Sequence, residues 1–331
     1  MDFKHHHTSL LRKQEPFDFI STALALFRFQ AKHNPVYRRY IENLKVNPEE
    51  VQALEQIPFL PIEFFKEQQV TTGEFEPEAV FYSSGTTQQT RSRHLVADLG
   101  LYQQVSERIF EHFYGPLQEY VILALLPSYL QQGGSSLVAM ADYFIKKSGQ
   151  QEEGFYLHNH DQLLQALRQA KGRGKKVLLL GVSYALLDLA KELQGQEDFS
   201  GVAVMETGGM KGRHREMIRE ELHARLKQGF GVDAIHSEYG MTELLSQGYS
   251  RGEGIFWPGY TMRLLLRDLN DPFDIRPDLR SGGINVIDLA NVDSCAFIET
   301  KDIGRLHPDG SFEVLGRFDN SDIRGCNLLV G

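Results

Sequence analysis

The sequence predicts an α/β fold whose last quarter turns into short β-strands, and three observations point to it. Between about residues 120 and 240, short apolar runs alternate with amphipathic helical segments, the pattern of strands crossed over by helices. Before that stretch the periodicity is helical. After about residue 255, strand-like runs follow one another between Pro, Gly and Asp turns.

Taken in order, FDFISTALALFRFQ and PVYRRYIENL repeat their apolar residues at helical spacing, so residues 1–55 read as a helical lead-in. VILALLP (121–127) reads as a buried strand. VLLLG is a second strand, followed at once by the helix-like YALLDLAKEL, and VAVMETGG a third, ending in a glycine turn. REMIREELHARLKQGFG is the clearest helix. Ile218, Leu222 and Leu226 share a face, acids fill the first turn, Lys227 lies in the last, and Gly229 is placed to cap it. MRLLLRDLNDPFD, GGINVIDLAN, CAFIET and SFEVLGRF then make a β-rich subdomain over about 255–331. No internal repeat or low-complexity linker divides the chain.

With 331 residues, 41% of them hydrophobic and 11% aromatic, the chain can bury a substantial core. Its 35 basic and 44 acidic residues give a net charge of −9, which argues against a broad electrostatic grip on nucleic acid or anionic lipid. The longest apolar runs fall well short of the roughly 20 residues of a membrane span. MDFKHHHTSLLRKQEPF lacks the apolar stretch of a secretory signal, so a cytoplasmic location is expected, and His5, His6 and His7 read as a solvated tail. Cys295 and Cys326 have no metal-type spacing and are expected to be reduced thiols.

Several familiar motifs fail. There is no G-x-x-x-x-G-K-[ST] phosphate loop, and the glycines of GFGVDA (229–234) end a helix instead of following a strand. HNH (158–160) has the wrong spacing for a zinc helix. GVSYA (181–185) comes near the G-x-S-x-G elbow and would make Ser183 the nucleophile of an α/β hydrolase, for which only His307, in the turn HPDG, follows late enough. The plainer reading is that Ser183 caps the next helix.

SSGTTQQTRSRH (83–94) follows the apolar strand AVFY and is rich in hydroxyls and glycine, which can wrap phosphate oxygens. Arg91 and Arg93 would add charge-assisted hydrogen bonds to the same anion. Read together with METGG (205–209), EYGMTE (238–243) and the pair TKDIGRLHPDG and GRFDNSDIRG (300–325), this loop resembles the phosphate-binding motif of the adenylate-forming superfamily, the later segments matching its adenine turn, its YGxTE motif and its ribose-binding region in the same order. Over residues 57 to the end, IPFLPIEFFK, LLPSYLQQGGSSLVAM, GGMKGRHREMIREELH and NSDIRGCNLLV are similar to the LuxE family of acyl-protein synthetases. Phenylacetate–CoA ligases resemble it more distantly.

The resemblance implies the N-terminal domain of an adenylate-forming enzyme, mixed α/β sheets plus a β-rich subdomain, spanning residues 56–331. It implies attack of a carboxylate on the α-phosphorus of ATP, with Mg²⁺ as cofactor. Ser83, Ser84, Gly85, Thr86 and Thr87 would line the phosphates, with Arg91 in place of the usual lysine. Thr242 would bond the α-phosphate and Glu243 would hold Mg²⁺. Tyr239 would pack on adenine with Glu206, Gly208 and Gly209 around its edge, and Asp302 and Arg317 would take the ribose hydroxyls. Lys211 and Arg213, after the glycine turn, could also reach phosphate. The chain stops 15 residues after Gly316, so the second domain usual in the superfamily is expected to be absent. Cys326, in IRGCNLLV beside Arg324, is then the implied acyl acceptor, fatty acid the implied substrate and an acyl reductase the implied partner. Cys295 reads as core packing. A truncated aryl- or acyl-CoA ligase and the Ser183 hydrolase are the alternative readings.

Overall fold

The computed structural model describes residues 3–13, 16–84, 91–127, 134–208 and 217–318. Its first helices are α1 (Phe3–Arg12), α2 (Phe19–His33) and α3 (Pro35–Asn43). Asp18 caps α2 by accepting from the Ile20 amide, and Asn34 both ends α2 and caps α3, with Pro35 at the first helical position. Strand β1 (Leu60–Pro61) and the short helix α4 (Phe64–Glu67) follow, then the hairpin β2 (Ala79–Tyr82) and β3 (Arg93–Val96), which stands apart as its own two-stranded sheet.

The α/β part runs α5 (Leu99–Tyr114), β4 (Tyr120–Leu125), α6 (Ser136–Ser148), β5 (Gly154–Phe155), α7 (His160–Gly172), β6 (Lys176–Val182), α8 (Ser183–Leu193), β7 (Val202–Thr207), α9 (Arg219–Phe230) and β8 (His236–Tyr239). All pairings among β5, β4, β6, β7 and β8 are parallel. Every residue of β4 is buried and β6 is buried beyond its first, which is why both read as unbroken apolar runs instead of alternating ones. Beyond β8 the sheet turns antiparallel through β9 (Gly248–Ser250), β10 (Ile255–Pro258), β14 (Phe312–Arg317), β13 (Phe297–Leu306), β12 (Gly282–Asp288) and β11 (Met262–Arg267), and β1 pairs with β13. The β-rich segments therefore extend one sheet, while the HPDG turn between β13 and β14 closes with Gly310 N–H donating to His307 O at 3.0 Å.

Three local expectations are corrected. Helix α9 starts at Arg219, leaving Ile218 outside it and 70% exposed, while Leu222 and Leu226 are buried. Its left-handed cap is Gly231 and not Gly229. A side chain at Gly229 would come within 2.5 Å of Ala190 Cβ, so this glycine lets α9 lie close against α8. Finally, only His5 and His6 of the three histidines face solvent. His7 is buried in α1, with Nε2 2.8 Å from the carbonyl of Leu289.

That histidine belongs to a wider clamp. The loop between β12 and β13 carries buried carbonyls that need donors, and the N-terminal helices supply them. Gln30 Nε2 donates to the carbonyls of Asn291, Val292 and Ser294, and its Oε1 accepts from Ala296 N–H at 2.9 Å. Asn34 Nδ2 donates to Ser294 O at 3.0 Å. Cys295, as expected, is core, its thiol pushed up to about 12 by burial.

The Gln30→Ala variant takes away the side-chain partner of the Val292 carbonyl and of the Ala296 amide, while Asn34 still holds the Ser294 carbonyl. We expect its unfolding free energy to fall by about 3 kcal/mol in urea titrations. A loss under about 1 kcal/mol would show that the loop holds its shape without α2.

Candidate active site

The site gathers where the β2–β3 hairpin meets the turn after β8. Ser83 and Ser92 bracket the loop of SSGTTQQTRSRH, with Ser83 N–H donating to Ser92 O at 3.1 Å and Ser92 N–H donating to Ser83 Oγ at 2.9 Å. His94 on β3 is buried, with Nδ1 2.9 Å from the carbonyl of Thr242. Burial lowers its pKa to about 4, so the imidazole is neutral near pH 7 and this contact is an Nδ1–H donor on a carbonyl. The Ser92 side chain bonds the Glu243 carboxylate. Ser92, just before β3, and His94 on it thus tie the phosphate-loop candidate to Thr242 and Glu243. Ser84 and Arg91 are exposed at the ends of this loop, whereas Gly85, Thr86 and Thr87 lie outside the described residues, as do Gly209, Lys211, Arg213 and Cys326.

Glu243 sits in a turn, 5% exposed, and burial raises its pKa above the ordinary carboxylate range, with Ser92, Arg317 and Lys66 pulling the other way. The turn is fixed from beneath. Asn291 Nδ2 donates to Glu243 O at 2.8 Å, and the buried Asp288 carboxylate accepts from the amides of Leu245, Ser246 and Ala290 and from Ser246 Oγ. A desolvated carboxylate suits Mg²⁺, which needs only one or two protein carboxylates when substrate phosphates complete its shell. Among the described residues no cluster of three metal-ligating side chains occurs.

Tyr239, Asp302 and Arg317 come together as well. Asp302 and Arg317 are paired across β13 and β14, with 3.8 Å between guanidinium and carboxylate, and Tyr239 donates to Asp302 Oδ2 at 2.9 Å. The Tyr239 ring is buried edge-on against Phe256 and Phe312, so its firm contact here is with Asp302.

Glu206, expected at the adenine edge, has its carboxylate taken up by protein partners. Its oxygens are engaged by Ser183 Oγ (3.0 Å), Arg219 (3.2 Å) and His223 (3.5 Å); burial works to raise its pKa, but His223, Arg219 and Ser237 bring it below the ordinary value. Ser183 in turn caps no helix: its Oγ also lies 2.5 Å from the carbonyl of Gly208, fastening the glycine turn. Nor is it a hydrolase nucleophile. Glu206 stands between it and His223, and His307 is bonded to Glu313 on the β13–β14 hairpin.

Ser92, His94, Arg219 and Glu238 escaped the sequence reading of the site. Polar residues on a strand gave no sign of facing a distant turn, but the alternation of R-S-R-H, with Ser92 and His94 on one side, could have suggested it. Glu238 accepts from Thr207 Oγ1 at 2.5 Å, and burial, reinforced by the nearby Glu206 charge, raises its pKa to about 7.

No family model matches the chain and no curated protein matches it. Among solved structures it is similar to 2-hydroxyisobutyryl-CoA ligase in complex with 2-HIB-AMP and CoA in the thioesterification state, with a TM-score of 0.66 and 15% identity over 97% of this chain and 70% of that one. It is also similar to ATP-bound MatB from Rhodopseudomonas palustris, with a TM-score of 0.52 and 16% identity over 72% of this chain and 48% of that one. An ATP-bound RpMatB–BxBclM chimera gives a TM-score of 0.54 at the same identity and coverage. The chain thus has the mixed α/β fold of adenylate-forming enzymes, and spans about half the length of the MatB structures. Among the described residues no helix is long and apolar enough to cross a membrane.

Glu238 generates a pH prediction. An acid whose pKa is raised by folding binds its proton more tightly in the native state, so stability is full below about pH 4.5 and declines until about pH 7. Relative to wild type, Glu238→Gln should remove about 3 kcal/mol of that decline in urea titrations across this window. Parallel stability profiles of the two proteins would contradict the assignment.

Proposed function

We propose that the protein activates a carboxylic acid with ATP and passes the acyl group to a thiol. The observation that supports this most is the convergence, within an adenylate-forming fold, of the hydroxyl-rich hairpin on Thr242 and Glu243 beside Asp302, Tyr239 and Arg317.

The substrate carboxylate oxygen bonds to the α-phosphorus of ATP and pyrophosphate leaves, giving the acyl-adenylate. A carboxylate approaching a polyphosphate is repelled, so the residues must screen charge and align the two. Ser83, Ser84, Gly85, Thr86 and Thr87 cradle the phosphates with Arg91. Thr242, held through its carbonyl by His94, bonds the α-phosphate. Glu243 would hold Mg²⁺, whose charge offsets that of the phosphates. Asp302 accepts from the ribose hydroxyls, steadied by Tyr239 and Arg317, while the turn at Gly208 and Gly209 borders adenine.

In the second half-reaction a thiolate attacks the acyl carbon and AMP leaves. Following the LuxE resemblance, we assign the thiol to Cys326, the acid to the fatty acids and the next acceptor to a reductase partner, with residues 56–331 as the adenylate-forming unit and 1–55 as its helical lead-in in a cytoplasmic enzyme. A second reading is that CoA is the acceptor. Its support is the similarity to a CoA ligase solved with CoA.

Carboxylate-dependent ATP–pyrophosphate exchange tests the first half: Glu243→Gln should lower it at least about 100-fold while Cys326→Ser leaves it intact. Equal loss in both variants would break this division of roles. After incubation with MgATP and tetradecanoate, the intact mass should rise by one hydroxylamine-labile acyl group, and Cys326→Ser should prevent the gain. Product formation only when CoA is added would select the second reading.

A further inference from the structure

We infer a second ligand site, for a small carboxylate with an apolar body, on the face of the sheet opposite Tyr239. The hydrogen-bond register sets these faces. Across β8, β9 and β10, Glu238 pairs with Tyr249 and Tyr249 with Trp257, so these side chains share one face. Tyr239 and Phe256 fall on the other, where Tyr239 reaches Asp302.

On the Tyr249 face lies a cavity of about 950 Å³, between the C-terminal end of α5, the turn joining β9 to β10 and the HPDG turn. This is within the range of small-molecule pockets, roughly 300–1,000 Å³. Phe113, Tyr249, Ile255, Trp257 and Pro308 supply apolar surface, and Trp257 remains 43% exposed although it is a large aromatic on a central strand. The Tyr249 hydroxyl is buried without a hydrogen-bond partner among the described residues.

The charged lining selects the sign of the ligand. Arg251, His112 and His307 line the cavity against one acid, Asp309. That carboxylate is already bonded to the amide and hydroxyl of Ser311, and His307 is paired with Glu313. Arg251 lies over the Tyr114 ring and has no carboxylate partner among the described residues. A guanidinium beside aromatic walls suits an anionic head on an apolar tail. In a chain of net charge −9, such capture has to be local.

Trp257 is the chain's only tryptophan, so intrinsic fluorescence reports this wall directly. Titration with decanoate should give a saturable change in Trp257 emission, and Arg251→Gln should weaken its midpoint at least about ten-fold. Decyltrimethylammonium, with the same tail and the opposite charge, should give none. Decanoate-dependent pyrophosphate exchange, where wild type supports it, should be unchanged in Arg251→Gln. The inference is overturned by no saturable change with decanoate, by an equal response to the cation, by an Arg251→Gln midpoint equal to wild type, or by loss of exchange in that variant, which would make the cleft part of the first site. Failure of exchange in the wild type would instead count against the proposed ligase activity, since the fluorescence arm does not depend on it.

Discussion

The buried carboxylate of Asp288 is the interaction on which the rest of the site depends. It lies at the end of β12 and takes hydrogen bonds from Leu245, Ser246 and Ala290, joining the segment after Glu243 to the loop that follows β12. A charge so buried is costly unless donors surround it, and here three amides and a hydroxyl do. Burial nevertheless raises its pKa above the usual carboxylate range. Asn291, three residues on, holds the carbonyl of Glu243. The geometry around Glu243 is therefore inherited from a core feature far along the chain.

The second constraint comes from the other side of the turn. His94, on a two-stranded sheet separate from the main one, and Ser92, at the entry to its second strand, hold Thr242 and Glu243. Glu243 is thus gripped between two bodies of structure, and the phosphate-loop candidate is carried by one of them. Near pH 7 His94 stays neutral, so this grip does not alter as the surroundings acidify mildly.

Much of the fold was legible because its signals are local. Unbroken apolar runs gave β4, β6 and β7, and the HPDG turn announced the β13–β14 hairpin. The failures concern partners distant in sequence. His7 looked like part of a solvated tail because nothing near it names Leu289 as its acceptor. Ser183 looked like a helix cap because the pattern strand–Ser–helix does not reveal Glu206, 23 residues away. Gly229 and Gly231 are equivalent as letters, and only the approach of α8 assigns close packing to one and the left-handed cap to the other. In the site, the resemblance assigned Tyr239 to adenine and Asp302 and Arg317 to ribose, but could not show that Tyr239 would be bonded to Asp302 or Glu206 to Arg219.

The clamp made by α1 and α2 also bears on how the chain is made. Gln30 waits for acceptors at residues 291–294 and His7 for one at 289. At ribosomal speeds of roughly 5–20 residues per second, these helices emerge something like 10–50 s before the loop that satisfies them. During that interval Phe27 has Tyr37 on α3 to pack against but not Phe297, so its native surroundings are only half built. The first segment to appear during synthesis is thus one that completes its hydrogen bonds only when residues 289–294 have been made.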